Sequence, residues 1–126
     1  MSGRVVHFEI PYDDGERAQA FYRDAFGWQL NAMPEMSYVL TSTGPSGDQG
    51  PTEPGFINGG LMPRDGSPSA APVLVVDVDS IDDTLALVGR LGGKTLRERE
   101  PVGDMGFAAY LADPEGNVVG LWETAR

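Results

Sequence analysis

The chain has no cysteine and a single histidine, His7, in 126 residues. The first absence removes disulfides, thiolate zinc sites and cysteine nucleophiles. The second means that any metal site would draw mostly on carboxylates, carbonyls or water. Basic residues are scarce too: 9 Lys and Arg stand against 19 Asp and Glu, a net charge of −10. Phosphate backbones need a basic surface, so no nucleic-acid partner is expected. No run of 18 apolar residues occurs and the N-terminus lacks the apolar core of a signal peptide. No membrane segment is therefore expected, and the expected location is cytoplasmic. Hydrophobic residues at 40% and charged residues at 22% suit a soluble globular chain, and the length suits one domain over residues 1–126.

What is present is a pattern written twice. Residues 4–10 alternate as a strand, with Val5, His7 and Glu9 on one face and Val6, Phe8 and Ile10 on the other. Asp13 is a good helix cap with Glu16 three residues on, and Ala18, Phe21, Tyr22, Ala25 and Phe26 follow at helical spacing before Gly27. The face Val6–Phe8–Ile10 is expected to pack on Phe21, Ala25 and Phe26, which turns His7 and Glu9 away from the helix. Short strands are expected at 28–32, 36–42 and 56–62. The Gly- and Pro-rich stretch 43–55 reads as a hairpin connection or, alternatively, a lid. A linker at 63–72 leads into the second copy: a strand at 73–78, a helix capped by Ser80 with Ile81, Leu85, Val88 and Leu91 as its apolar stripe, and three strands in "KTLRERE", "FAAYLAD" and "NVVGLWE".

An offset of 66 residues aligns His7 with Val73, and an offset of 60 aligns Gly60 with Gly120. The expected fold is therefore α+β: two βαβββ modules, about 4–64 and 72–124, whose curved mixed sheets surround a shared cleft with the helices outside. Strand parity puts His7, Glu9, Gly60 and Met62 on the cleft face, with Gly120 and Trp122 in the second copy.

These segments resemble a known superfamily. "HFEIPYDDGERAQAFYRDAFGW" at 7–28, "GGLMPR" at 59–64 and "DPEGNVVGLWE" at 113–123, in this order, are similar to the vicinal oxygen chelate superfamily. That group holds glyoxalase I, bleomycin-resistance proteins and extradiol dioxygenases. The resemblance implies four metal-ligand positions on the first and last strands of the modules. They fall here on His7, Val73, Gly120, and Gly60 or its polar neighbour Asn58. Only one of the four is a ligand-type side chain, so no metal and no cofactor are expected.

Several residues remain as candidates. His7 is either an acid/base or ligand-orienting group, or a strand histidine held by a neighbour. Glu9 is either a base with a raised pKa, or half of an ion pair with Arg64 or Arg4. Tyr38, Met62, Phe107, Tyr110 and Trp122 are candidate cleft liners, with Asn58 as a further polar contact; the alternative is that the apolar ones fill the core. Gly60 and Gly120 are expected to leave space beside them. The expected function is metal-free binding of a small organic molecule, aromatic or cationic. The alternative is a glyoxalase-like lyase or isomerase, or a dioxygenase, using His7 and Glu9 with a weakly held divalent metal. The resemblance also implies a homodimer.

Overall fold

A computed structural model describes residues 3–126. The described residues form two compact units, His7–Pro72, and Val73–Arg126 with residues 3–6. Each is a βαβββ unit with a mixed four-stranded sheet, as the repeat predicts.

The first unit contains β1 (Val5–Tyr12, from His7 onward), α1 (Gly15–Phe26), β2 (Gln29–Met33), β3 (Tyr38–Ser42), the two-residue strands β4 (Ser46–Gly47) and β5 (Gly50–Pro51), and β6 (Asn58–Pro63). Its sheet runs β2-β3-β6-β1, parallel at β1–β6 and antiparallel elsewhere. The cap of α1 is Asp14, one residue later than expected: its extended backbone lets the carboxylate accept from Arg17 N–H at 3.0 Å. Asp13 is instead drawn to Arg64 Nε at 2.9 Å. Gly27 ends the helix at φ 73°, in the left-handed region, and its N–H donates to Arg23 C=O.

The packing of α1 differs from expectation. Phe21 and Phe26 are 58% and 61% exposed, and Ala25 is exposed as well. Phe8 meets Trp28 instead, with centroids 5.7 Å apart, and Trp28 stacks on Tyr22 at 4.9 Å and 5°. The turn at Gly27 folds the chain back, and the larger indole face takes the contact expected of the phenylalanines. The stretch 43–55 is a hairpin closed on itself. Thr52 N–H donates to Pro45 C=O at 2.9 Å, and Gly44 sits where a Cβ would come 2.7 Å from the Phe56 ring.

The second unit contains β7 (Val73–Asp77), α2 (Ile81–Arg90), β8 (Lys94–Val102), β9 (Gly106–Ala112) and β10 (Val118–Thr124). Its sheet runs β7-β10-β9-β8, parallel at β7–β10 and antiparallel elsewhere. Ser80 caps α2 as expected, accepting from Asp83 N–H at 3.2 Å. Ile81, Ala109, Leu111 and Leu121 form the buried core, ringed by Val76, Val78, Leu85, Val88, Phe107 and Val119. Burial of each large aliphatic group contributes roughly 1.5–3 kcal/mol. Leu91, expected in the same stripe, is 69% exposed because it is the C-cap and lies beyond the last core-facing turn.

The two units share their strand register. Glu9 lies opposite Gly60 across β1–β6, and Val75 lies opposite Gly120 across β7–β10. These are the pairs that the 66- and 60-residue offsets connect. Among the described residues, no helix is long and apolar enough to cross a membrane.

Candidate functional site

Parallel pairing places Asn58, Gly60 and Met62 opposite His7, Glu9 and Pro11. Facing residues of paired strands share a side of the sheet, so this row is one face, as parity predicts. Tyr38 joins it from the start of β3. The approach is unusual: a single 3-10 turn, Pro34–Met36, ends at Ser37, with φ 49° and ψ 50°. Ser37 is the only non-glycine residue at positive φ among the described residues. That conformation costs an L-residue roughly 1–2 kcal/mol.

Tyr38 spans the other two side chains. Its hydroxyl donates to Glu9 Oε2 at 3.0 Å and lies 2.7 Å from His7 Nε2. A phenol has one proton. With that proton on Glu9, the contact to His7 requires Nε2 to carry a hydrogen and donate it, which fixes the neutral imidazole as the Nε2–H tautomer. Burial holds the His7 pKa below its ordinary 6.5, against the opposing pull of the Glu9 charge, so the ring is neutral near pH 7. Glu9 is only 7% exposed. Imidazole, phenol and carboxylate thus stand in a hydrogen-bonded row through which a proton can pass.

The tyrosine also fills room that had been expected to be open. A Cβ on Gly60 would lie 2.1 Å from Cε2, Cζ and Oη of Tyr38. At Gly120 the corresponding volume is taken by Val75 Cγ2, 3.0 Å from such a Cβ, and Tyr110 Cε1 at 3.2 Å. The glycines admit neighbouring rings rather than leaving voids. Of the two arginines expected beside Glu9, Arg64 is engaged elsewhere. Arg64 is held by Asp13 and by the Ala70 carbonyl, while Glu9 takes the phenol.

The remaining candidates are placed as follows. Asn58 spends its amide on the hairpin, accepting from Thr43 N–H at 2.9 Å and donating to Ser46 Oγ at 2.8 Å. Met62 is partly buried on the His7 face. Tyr110 lies against Gly120 with the Arg97 guanidinium 5.8 Å from its ring centre. Trp122 donates to Thr124 Oγ1 at 3.1 Å and packs on Gly106. Phe107 carries the Arg99 guanidinium at 3.5 Å, and Arg99 pairs with Glu123 at 2.9 Å. Glu123 turns toward the helix and accepts from Ile81 N–H at 2.8 Å.

The four positions that would hold a divalent ion do not fit one. Val73 is 1% exposed and has no donor, and Gly60 and Gly120 are covered by tyrosine rings. Among the described residues, no three His, Cys, Asp or Glu side chains come together as a ligand set. A stable site needs more donors than His7 and Glu9 supply.

Paired βαβββ units with a common register define the vicinal oxygen chelate fold. The bleomycin resistance protein-like N-terminal family matches residues 4–44. A glyoxylase-like domain-containing protein of Didymella fabae is 31% identical over 122 residues, covering 93% of this chain and 91% of its own. A protein named as a glyoxylase in Mycobacterium bovis, CFP32, is 27% identical over 94% of this chain, which spans only 44% of that relative. Among solved structures, Streptomyces coelicolor methylmalonyl-CoA epimerase in complex with 2-nitronate-propionyl-CoA superposes with a TM-score of 0.66. Its identity is 17%, and the match covers 99% of this chain and 96% of the epimerase. The chain belongs to the glyoxylase-like proteins of the vicinal oxygen chelate superfamily.

Proposed function

We propose that the protein binds a small organic molecule, without a metal, on the face built by His7, Tyr38 and Glu9. The observation that carries the reading is the row itself: Tyr38 joins His7 at 2.7 Å to Glu9 at 3.0 Å. Both ligand-type side chains are engaged by a phenol, and the row offers polar recognition beside aromatic surface. The net charge of −10 supports cationic aromatic compounds as the first class to screen.

Purified protein is titrated with Ni²⁺ and Mn²⁺, and separately with cationic and neutral aromatic compounds, while its melting temperature is followed. The expected result is less than stoichiometric metal and stabilisation by at least one compound, weakened in Glu9→Gln. Stoichiometric metal retained through dialysis and lost in His7→Ala would sink the reading.

A second reading is an acid–base enzyme of the lyase or isomerase kind, in which the row moves a proton between His7 and Glu9. It is favoured by the fixed His7 tautomer. Because the epimerase structure shows the same fold, acyl-CoA thioesters belong in the substrate panel. Turnover lost in both Tyr38→Phe and Glu9→Gln would select this reading over simple binding. Homodimer formation belongs to the same proposal, supported by the exposed rings of Phe21 and Phe26, and light scattering of the purified chain tests it.

A further inference from the structure

We infer that the Tyr38 ring stands in for the ligand, and that the site takes a phenolic compound which displaces it. The inference rests on the metal-free binding reading above and adds the ligand's chemical class.

The first argument is steric. Gly60 lies inside β6 at ordinary extended backbone, so its conformation does not call for glycine. What excludes a side chain there is the Tyr38 ring, whose hydroxyl end lies 2.1 Å from where the Cβ would be. The sheet thus has a slot cut to one aromatic ring.

The second argument is chemical. The slot reads a group that donates to Glu9 Oε2 and accepts from His7 Nε2–H. A hydroxyl does both with one oxygen. A carbonyl would accept from His7 and leave the buried carboxylate facing a lone pair. An ammonium would satisfy Glu9 but point a hydrogen at the His7 N–H. Each mismatch forfeits a hydrogen bond that a hydroxyl supplies at this position, so the pair discriminates for a hydroxyl.

The third argument is mechanical. Tyr38 is the first residue of β3: it pairs with Met33 at the end of β2, while the β3–β6 register begins only at Val39, opposite Leu61. It follows Pro34–Ser37, all exposed, with Ser37 in the costly left-handed conformation. Withdrawing the ring would disturb the terminal Met33–Tyr38 pair of β2–β3 but no β3–β6 pair, and would let Ser37 relax.

The test uses 4-methylphenol, which reproduces the tyrosine side chain beyond Cβ, with toluene as the ring lacking the hydroxyl. Both are titrated by calorimetry into the full-length wild-type protein, Tyr38→Phe and Tyr38→Ala. The expected result is saturable binding of 4-methylphenol to wild type. Affinity should be at least tenfold higher in Tyr38→Ala, where no internal ring competes. In that variant 4-methylphenol should bind at least tenfold tighter than toluene, and a second change, Glu9→Ala, should erase the difference. If Tyr38→Ala does not fold, Tyr38→Phe carries the test: its ring lacks both hydrogen bonds, and 4-methylphenol should bind several-fold tighter than to wild type.

Equal binding of toluene and 4-methylphenol would overturn the hydroxyl recognition. Absence of saturable binding to wild type would show Tyr38 to be a fixed wall and overturn the inference. In that event, stabilisation by another compound of the panel would leave the metal-free reading standing. Stoichiometric metal in the wild-type protein would overturn both.

Discussion

Gly60→Ala inserts one methyl group where Tyr38 already lies. Three Tyr38 atoms sit 2.1 Å from the new carbon, more than 1 Å inside ordinary van der Waals contact, so the ring or the strand must yield. If the strand yields, overpacking costs about 1–3 kcal/mol. If the ring leaves, two hydrogen bonds go: about 1.5–3 kcal/mol for the one to the Glu9 carboxylate and about 0.5–1.5 kcal/mol for the one to His7. Replacing a strand glycine returns roughly 0.5–1 kcal/mol of chain entropy. The cheaper route sets the outcome, so the net loss should be about 1–2 kcal/mol, a fall in melting temperature of roughly 3–10 °C for a domain of this size. The informative measurement is a double-mutant cycle with Tyr38→Ala by urea unfolding, at unchanged m-value. With the ring gone, the same methyl should cost nothing, giving a coupling of about 1–2 kcal/mol. Costs that add to within about 0.5 kcal/mol would refute the steric account of Gly60.

Other outcomes follow from the same geometry. Gly120→Ala places its Cβ 3.0 Å from Val75 and 3.2 Å from Tyr110, so a few tenths of an ångström of relaxation suffice, and unfolding should register a loss under about 1.5 kcal/mol. His7 is held below 6.5, so the unfolded chain takes up a proton that the folded chain refuses. Its contribution is fully present above pH 6.5 and is lost as pH falls through the depressed value; urea titrations between pH 5 and 8 should show that slope, and His7→Gln should flatten it. Glu123 is held below the ordinary carboxylate range, first by the Arg99 hydrogen bond and then by Ile81 N–H. Its contribution is present above the ordinary value and is lost as pH falls through the lowered one, so Glu123→Gln should reduce the pH dependence of stability below pH 4.5. Asn58→Ala cuts both ties to the hairpin, and limited proteolysis should then open the chain within 43–57 at a lower protease dose.

The architecture was readable because it is local. Alternation in 4–10, the Ser80 cap and the Ile81–Leu85–Val88 spacing each report a period or an end, and the repeat aligned Glu9/Gly60 with Val75/Gly120 before any coordinates. The site was half readable. Parity put His7, Glu9, Gly60 and Met62 on one face, which the strand register bears out. It could not show that Tyr38 reaches diagonally across that face, because Leu40, not Tyr38, is the residue opposite Gly60. Nor could it separate Asp13 from Asp14 as the cap, since both are good caps and a distant residue, Arg64, decides between them. The left-handed Ser37 leaves no compositional mark, since asparagine or glycine would be the usual signal there. Glycines read as empty space proved to be space already let to tyrosines. An adjoining tyrosine earlier in the chain is the clue that could have warned of it.

The shared register has a practical consequence. The second unit also sets a tyrosine ring against its glycine, with Tyr110 directly opposite Gly120 where Tyr38 reaches Gly60 diagonally, but it carries Val75 where the first carries Glu9. The protein therefore contains its own blank: the same backbone lattice with the carboxylate left out. Whatever a bound molecule or a titration does at Gly60 and fails to do at Gly120 can be assigned to the chemistry of Glu9 and His7 rather than to the scaffold. Val75→Glu then asks whether one residue carries that chemistry from one copy of the duplicated design to the other.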